Sequence, residues 1–249
     1  MTRPRSPVAG INSVRAAVGL GADKVAELWL DRRRRDRRLS ELAQTARQAG
    51  IRVRQLERER LDEAAEGANH QGALAWVRMP DRLGERDLDG LIGAIDGPPL
   101  LLVLDGVTDP HNLGACLRTA DGAGAHGVIA PKDQAAGLTP VVLKVASGAA
   151  DSVPFVQVTN LARTLDRLKA LGVWVIGAAD TAEMALFDAD LSGPLALVLG
   201  SEGNGIRRLT RERCDGLVRV PMQGRVESLN VSVAAGVCLY EALRQRRST

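Results

Sequence analysis

Five polar side chains between residues 112 and 230 are of types that bind ligands or transfer protons, and they fall in three segments. The segments read DGVTDPHNLGACLRTADGAG (105–124), LALVLGSEGNGIRRLT (195–210) and VPMQGRVESLNVSVAAGVCLYEA (220–242), and the side chains are Asn112, Arg118, Glu202, Ser228 and Asn230. Each segment starts at or just after a short apolar run and leads toward helix-compatible sequence. Strand ends are where α/β folds bind their ligands. The sequence therefore predicts a ligand site built from these three segments.

The first segment also has a purely structural interpretation. Asp109-Pro110 marks a turn, and Asn112 could cap the helix that follows. Arg118 lies about 140° around that helix from Leu113, so it points away from the buried face. That face is predicted to consist of Leu113, Cys116, Leu117 and Ala120. A capping asparagine and a surface arginine remain the alternative for this segment.

The second and third segments have similar alternatives. Three glycines around Glu202 free the backbone to approach a ligand and leave amides exposed at a helix start, but their spacing is not the dinucleotide GxGxxG. An acidic residue in such a loop also makes a phosphate ligand less favourable. Ser228 or Asn230 could cap an amphipathic helix. The apolar stripe of that helix is Val231, Ala235, Cys238 and Ala242.

Other kinds of site are disfavoured. The histidines are not spaced as metal ligands, no hydrolase triad stands out, and we expect no metal. The three cysteines are far apart and without a CxxC pair, which favours a reducing cytoplasm over a disulfide framework. No apolar run reaches membrane-spanning length, and the first residues lack the apolar core of a signal peptide. We therefore expect a cytoplasmic protein.

Two domains are predicted. Residues 1–79 alternate helix-like and strand-like pieces, which indicates a small α/β domain, and residues 80–97 are charged, Gly/Pro-rich and poorly periodic, which indicates a linker. From residue 98 onward, near-continuous Val/Leu/Ile runs alternate with helix-like stretches. Such runs are typical of strands buried on both faces, so residues 98–249 are predicted to form an α/β domain with a mostly parallel sheet.

Charge divides the chain in the same way. The net charge of +3 combines 16 basic and 10 acidic residues in 1–80 with 17 basic and 20 acidic residues in 81–249. The basic front region suggests a module that faces a polyanion, although a solvated arginine-rich surface is an equal alternative. The whole chain has six aromatic residues, which is too few for a base-stacking platform. Any nucleic acid would be held through phosphates and local shape.

Together the three segments resemble the three motifs of the SpoU/TrmH branch of the SPOUT methyltransferases. DGVTDPHNLGACLRTADGAG is similar to the first motif, LVLGSEGNGIRRLT to the second and PMQGRVESLNVSVAAGVCLYEA to the third. GINSV near the start and ANHQG at 68–72 are similar to the accessory domain of the RlmB-type ribosomal RNA ribose methyltransferases. Asn204 stands where a lysine is often expected in the second motif.

The resemblance implies a fold and a set of site residues. It implies a deep trefoil knot in the C-terminal domain and an N-terminal RNA-binding domain like ribosomal protein L30e. It also implies that S-adenosyl-L-methionine binds in the knot loops, at Gly200, Val220 and Leu229. Arg118 is implied to activate a hydroxyl, with Asn112, Glu202, Ser228 and Asn230 in support; because a guanidinium stays protonated, phosphate or oxyanion binding is the safer physical role for Arg118.

The implied function is S-adenosylmethionine-dependent methylation of a ribose 2′-hydroxyl, on a guanosine of large-subunit (23S) ribosomal RNA. The implied partners are that RNA, contacted in part through Arg32 to Arg35, Arg37 and Arg38, and a second copy of the chain, packed partly through the helix at 228–247. The alternatives are methylation of tRNA or of another ribosomal nucleotide, and a non-catalytic RNA-binding assembly factor. A nucleotide-dependent oxidoreductase is disfavoured by the missing dinucleotide fingerprint.

Overall fold

The computed structural model describes residues 5–34, 36–81 and 83–247. Arg35, one of the basic residues predicted to contact RNA, lies outside these described residues. The chain forms two compact units: residues 1–81 with 138–144, and residues 82–137 with 145–249. Within the described ranges, none of the helices combines the length and the apolar composition that crossing a membrane requires.

The first unit contains a four-stranded sheet and three helices. Its elements are β1 (Arg5–Ala9), α1 (Ile11–Val18), β2 (Val25–Asp31), α2 (Arg37–Gln48), β3 (Arg52–Leu56), α3 (Arg58–Ala65) and β4 (Ala73–Arg78). The strand order is β1-β4-β2-β3, with β4 antiparallel to both neighbours and β2 parallel to β3. The expectation of a small α/β fold is confirmed. Strand β1 was not predicted, because Pro7 argues against a strand except at a sheet edge, which is where β1 lies.

Asp36 shows why α2 forms where it does. Its carboxylate accepts the Leu39 backbone N–H at 3.0 Å, which caps the first turn. Leu39, Leu42, Ala43 and Ala46 then recur at helical spacing on the buried face. The helix stops before Gly50, whose φ of 72° suits a residue without a side chain.

The second unit alternates strands and helices along the chain. Its elements are α4 (Leu88–Gly93), β5 (Leu100–Asp105), α5 (Pro110–Gly122), β6 (Gly127–Pro131), α6 (Pro140–Ala146, which spans the division between the units), α7 (Ala149–Ser152), β7 (Phe155–Val158), α8 (Leu161–Ala170), β8 (Trp174–Ala178), β9 (Met184–Ala185), β10 (Leu195–Gly200), α9 (Arg208–Arg211), β11 (Gly216–Arg219) and α10 (Val231–Arg246). Short 3₁₀ turns occupy Glu85–Asp87 and Leu186–Asp188.

The seven strands form one sheet in the order β7-β6-β5-β10-β8-β11-β9, and every pairing is parallel. Every residue of β5 is buried, as are the first five of β10, because helices cover both faces. The predicted α/β fold with a mostly parallel sheet is confirmed. Strand β10 lies between β5 and β8, so the carboxyl ends of these three strands are neighbours.

Part of the predicted linker 80–97 is regular structure in the second unit. Leu88 of α4 is fully buried in the core of this unit, and Leu91 and Ile92 pack against it. Arg167 donates two hydrogen bonds to the Asp89 carboxylate at 2.6 and 2.7 Å. This helix was not predicted because the segment is rich in charged residues and glycine, and because six residues are too few to show a clear helical period.

Helix α10 buries its predicted apolar stripe inside the second unit. Val231, Ala235, Cys238 and Ala242 are each at most 4 % exposed, and α10 packs on α5 and β10. This stripe is therefore not available to another chain. The outward face of α10 carries Val233 and Tyr240, each about half exposed.

The cysteines are packing residues. All three are free thiols, and burial raises the pKa of Cys116 and of Cys238 to about 12. Both are therefore protonated at neutral pH and poor nucleophiles. Among the described residues, no group of three or more potential ligand side chains could hold a metal ion.

Candidate active site

The parallel sheet brings the first two predicted segments together. In the register of β5 and β10, Asp105 pairs with Gly200, so the two strands end side by side. The chain continues from these ends as the loop 106–109 and as the turn 201–206. This is the arrangement expected at the carboxyl edge of a parallel sheet. The third segment reaches the same edge because α10 starts there.

The turn after β10 folds back on its own strand. Ser201 and Gly205 form a bridge in which the Gly205 N–H donates to the Ser201 carbonyl at 2.9 Å. A Cβ at Gly200 would overlap the Gly205 carbonyl carbon and the Ile206 nitrogen. Helix α9 begins only at Arg208, so the amides of this loop do not lie at a helix start, contrary to expectation. Gly200 permits this close packing of backbone on backbone.

Asn112, Glu202 and Asn230 form a closed cluster of hydrogen bonds. The Asn230 Nδ2 donates to Glu202 Oε1 at 2.5 Å and to Asn112 Oδ1 at 3.0 Å. The Asn112 Nδ2 donates to the same Glu202 oxygen at 3.0 Å. Two amide side chains from distant segments thus hold one carboxylate in place. We call this group the amide–carboxylate cluster.

Asn230 has a second role that determines its orientation. Its Oδ1 accepts the Ser232 backbone N–H at 2.9 Å and the Ser232 hydroxyl at 2.6 Å, which caps α10. Because the oxygen faces the helix, the amide nitrogen must face Glu202. The capping interpretation of Asn230 is therefore confirmed, and the same side chain also belongs to the cluster.

Asn112 is not a helix cap. Asp109 caps α5 by accepting the His111 N–H at 2.9 Å, and Pro110 occupies the first helical position. The capping interpretation of Asn112 was wrong because the turn already supplies an aspartate one residue before the proline. Asn112 lies in the first turn of α5, where its amide reaches Glu202.

A first cavity of about 340 Å³ adjoins this cluster. Gly200, Val220 and Leu229, the predicted cofactor contacts, all line it, and so do Glu202 and Ser228. Sequence reasoning missed residues 178–180, which line it from the end of β8. They could have been predicted in the same way as the other lining residues, because Ala178 and Ala179 are small residues at the carboxyl end of a parallel strand.

A second cavity of about 430 Å³ lies on the other side of Glu202. Its lining is residues 106–109, Asn112, Gln134, Ser201, Glu202, Asn204, Arg207 and Val231. Four of these residues also line the first cavity: Ser201, Glu202, Asn204 and Val231. The two cavities therefore adjoin each other beside the amide–carboxylate cluster.

Arg207 and Asp105 form an ion pair that the sequence did not reveal. The Asp105 side chain is buried, and it accepts the Arg207 backbone N–H at 2.9 Å and the Arg207 Nε–H at 2.7 Å. The pair ties the end of β5 to the end of the turn that carries Glu202. Asp105 stands out in the sequence because it ends an otherwise apolar strand, but its partner Arg207 is 102 residues away and could not be identified from the sequence.

Arg118 lies apart from the other predicted catalytic residues. It is exposed on α5, and its Nη1 approaches the Ser147 hydroxyl at 3.5 Å. It lies six positions after Asn112, which places it about 9 Å further along the helix and about 120° around it. It is absent from the lining of both cavities. Its predicted outward orientation is confirmed, but within this chain it is not brought to the amide–carboxylate cluster.

The fold and the site define a class of enzyme. The family model described as SpoU rRNA Methylase matches residues 99–240, and a model described as RNA 2′-O ribose methyltransferase substrate binding matches residues 7–83. The chain belongs to the SpoU rRNA methylase family, as the three segments predicted.

Close relatives have one specific activity in their names. The chain is 56 % identical over 237 residues to the 23S rRNA (guanosine-2′-O-)-methyltransferase RlmB of Ralstonia nicotianae, covering 95 % of this chain and 94 % of the relative. It is 54 % identical over 239 residues to RlmB of Shewanella oneidensis, covering 96 % and 97 %.

Solved structures of the family have the same fold. The SpoU methyltransferase AviRb from Streptomyces viridochromogenes, in complex with the cofactor AdoMet, superposes with a TM-score of 0.66 at 29 % identity, covering 98 % of this chain and 91 % of that one. A structure described as an RNA 2′-O ribose methyltransferase superposes with a TM-score of 0.61 at 28 % identity, covering 98 % and 90 %.

Proposed function

We propose that this protein transfers a methyl group from S-adenosylmethionine to the ribose 2′-oxygen of a guanosine in 23S ribosomal RNA. The observation that carries the proposal is the junction of two cavities at the amide–carboxylate cluster. A transfer between two bound molecules needs such a junction, because the reacting atoms must come within contact distance and in line. The names of the RlmB relatives supply the substrate class.

The first cavity has a size and a lining that fit S-adenosylmethionine. Its volume of about 340 Å³ is within the range of small-ligand pockets, which is about 300–1,000 Å³. Val220, Met222 and Leu229 provide apolar surface for a flat ring. The carboxylates of Asp180, Glu202 and Glu227 provide negative charge for a ligand that carries a sulfonium and an ammonium group. Gly200, Val220 and Leu229 remain the proposed backbone contacts.

The amide–carboxylate cluster orients the acceptor hydroxyl. A ribose hydroxyl is a poor nucleophile, so the site must align its oxygen and take its proton. Glu202 provides an ionisable oxygen at the junction, and the amides of Asn112 and Asn230 fix its position. Bound S-adenosylmethionine supplies the electrophilic methyl group. Ser228, which lines the first cavity, is proposed to support the cofactor side of this junction.

Arg118, which lies outside both cavities, is proposed to bind an RNA phosphate near the reacting nucleotide rather than the 2′-oxyanion. Arg118→Ala should lower kcat/KM for methyl transfer at least 10-fold, because phosphate and oxyanion contacts contribute that much or more. The dissociation constant of the cofactor should stay unchanged, since Arg118 lies outside the first cavity. Transfer at the wild-type rate, measured with labelled S-adenosylmethionine, would remove Arg118 from the mechanism.

Analysis of the methylated nucleoside tests the proposed function. The full-length protein is incubated with labelled S-adenosylmethionine and, in separate reactions, with unmodified 23S rRNA, tRNA or assembling large subunits, and the RNA is digested to nucleosides. We expect the label in 2′-O-methylguanosine alone. Label in another nucleoside, or in tRNA only, would favour the alternative substrates. Cofactor binding without transfer to any RNA, or to assembling large subunits, would favour the assembly-factor alternative.

Residues 1–79 are proposed to be the RNA-binding domain, with an architecture like ribosomal protein L30e, and residues 98–249 the methyltransferase domain. Of the connecting segment 80–97, α4 packs into the core of the second unit. The match of the substrate-binding model supports this assignment. The basic run at 32–38 includes Arg32, Arg33 and Arg37, whose side chains are 60–91 % exposed. They pair with Glu57 and Glu41 on the surface, and such exposed pairs are weak enough to be exchanged for phosphates.

The combined variant Arg32→Gln, Arg33→Gln and Arg37→Gln should weaken RNA binding. Each phosphate contact that is lost lowers the slope of log K against log salt by about 0.7–0.9, so the slope should become shallower. The matched control is Arg163→Gln, Arg208→Gln and Arg213→Gln, which removes the same charge from exposed positions of the second unit. Equal losses for the two triple variants, measured by filter binding over a salt series, would contradict a specific RNA surface.

Two features of the family's architecture are also proposed. The C-terminal segments form a deep trefoil knot, which is supported by the membership of the family and by the return of α10 to the strand ends of β5 and β10. Two copies of the chain pack through their methyltransferase domains, with Val233 and Tyr240 on the outward face of α10 as part of the contact. Because its proposed substrate is ribosomal RNA, the protein is proposed to act in the cytoplasm.

A further inference from the structure

We propose that the second cavity holds the base of the acceptor guanosine and that Arg207 recognises its O6/N7 edge. This inference rests on the proposed function and names the specificity determinant of the same site. The second cavity shares Glu202 and Val231 with the first cavity, so its occupant lies next to the methyl donor. Its volume of about 430 Å³ is within the range of small-ligand pockets and is large enough for a nucleoside.

Asp105 holds the Arg207 guanidinium in one orientation. The buried carboxylate binds the Nε edge at 2.7 Å, while the arginine side chain remains 45 % exposed. The guanidinium runs along Gly106, where the Nη2 atom lies 3.8 Å from the position that a Cβ would take. Gly106 and Arg207 both line the second cavity. Within the described ranges, neither Nη atom of Arg207 makes a recorded hydrogen bond, so two parallel donors remain for a ligand.

The charge around the second cavity favours a neutral base over a phosphate. Three carboxylates, those of Asp105, Asp109 and Glu202, lie in or behind its wall, against the single cation Arg207. This negative excess repels an anion. The other polar side chains are amides and a hydroxyl, namely Asn112, Gln134, Asn204 and Thr108, which exchange hydrogen bonds with neutral groups.

Guanine fits these donors better than the other bases. It presents two acceptors, O6 and N7, on one edge, and an arginine fork binds both at once. Adenine presents an acceptor beside an amino donor on the same edge. One of the two arginine donors would therefore face another donor. Arg207 therefore provides a reason for guanosine selectivity that the methyl-transfer machinery alone does not.

The test uses RNA fragments that carry guanosine or 7-deazaguanosine at the methylated position, which is located by its resistance to alkaline cleavage. The analogue lacks the N7 acceptor and keeps the ribose. For the wild-type protein we expect kcat/KM to fall about 10-fold or more on the analogue. For Arg207→Gln and Arg207→Lys we expect lower kcat/KM on guanosine and a ratio near one between the two RNAs. Arg208→Gln, the control at the next residue, should keep the wild-type ratio.

Every result of this experiment either supports or overturns the assignment of Arg207. A wild-type protein that methylates both RNAs equally well, or Arg207 variants that keep the wild-type ratio, would overturn the assignment. No methylation of any guanosine by the wild type would contradict the proposed function instead. Arg207→Lys removes the two parallel guanidinium donors but keeps a cation beside Asp105. It therefore separates the effect of losing those donors from the effect of leaving the buried Asp105 carboxylate without an ion-pair partner. Cofactor binding and thermal unfolding measured on each variant identify a misfolded protein.

Discussion

Asn230→Asp should lower kcat/KM for methyl transfer by about 100- to 1,000-fold, because misplacing a group at a reacting centre or removing a fixed donor costs that much. The substitution keeps an oxygen that caps α10 at Ser232. It replaces the Nδ2 donor with an oxygen facing Glu202 and Asn112, so two hydrogen bonds become repulsive contacts. Steady-state rates and the melting temperature are measured together. We expect a large loss of activity and a small loss of stability.

Asn160→Asp is the matched control. Asn160 caps α8 by accepting the Arg163 N–H at 3.0 Å, so the same substitution is made at the same kind of position. It is far from the cluster in the sequence and lines neither cavity. We expect its kcat/KM to stay within about twofold of wild type. If Asn230→Asp behaved like Asn160→Asp, the amide–carboxylate cluster would have no part in the chemistry.

Gly200→Ala should abolish tight binding of S-adenosylmethionine. The new Cβ would collide with the backbone of Gly205 and Ile206, neither of which can move aside as a flexible side chain can. The turn 201–206 must then shift, and it carries Glu202 and lines both cavities. We expect the cofactor dissociation constant to rise at least 10-fold and methyl transfer to fall at least 100-fold, since small displacements at a reacting centre are costly.

Gly193→Ala tests whether that effect is specific. Gly193 precedes β10 at the other end of the strand, and a Cβ there would meet no atom within 4 Å. Calorimetric titration of both variants with S-adenosylmethionine measures the binding. We expect wild-type affinity for Gly193→Ala. Wild-type affinity for Gly200→Ala would mean that the turn does not form the cofactor site.

The sheet was predictable because its strands are simple in sequence. LLLVLD and LALVLG are nearly continuous apolar runs, and burial on both faces of a parallel sheet requires such runs. The two-residue strand β9 was not predictable, since Met184–Ala185 has no period of its own and exists only through its pairing with β11. Local sequence determines long buried strands, and tertiary contacts determine short edge strands.

The site was predictable in its location and not in its geometry. Polar residues at the ends of parallel strands predict a common edge, and Asn112, Glu202 and Asn230 do meet there. The sequence could not show that Asn230 both caps α10 and bonds Glu202, because each role alone explains an asparagine at that position. Nor could it pair Asp105 with Arg207, since nothing local to either residue encodes a contact across 102 positions.

Mapping the methylated position in RNA tests the central claim most directly. Unmodified 23S rRNA is incubated with S-adenosylmethionine and either the wild-type protein or Asn230→Asp, and ribose methylation is located by its resistance to alkaline cleavage. We expect one protected guanosine for the wild type and at most about one hundredth of that rate for the variant. Protection at a nucleotide other than guanosine, or equal protection by both proteins, would contradict it.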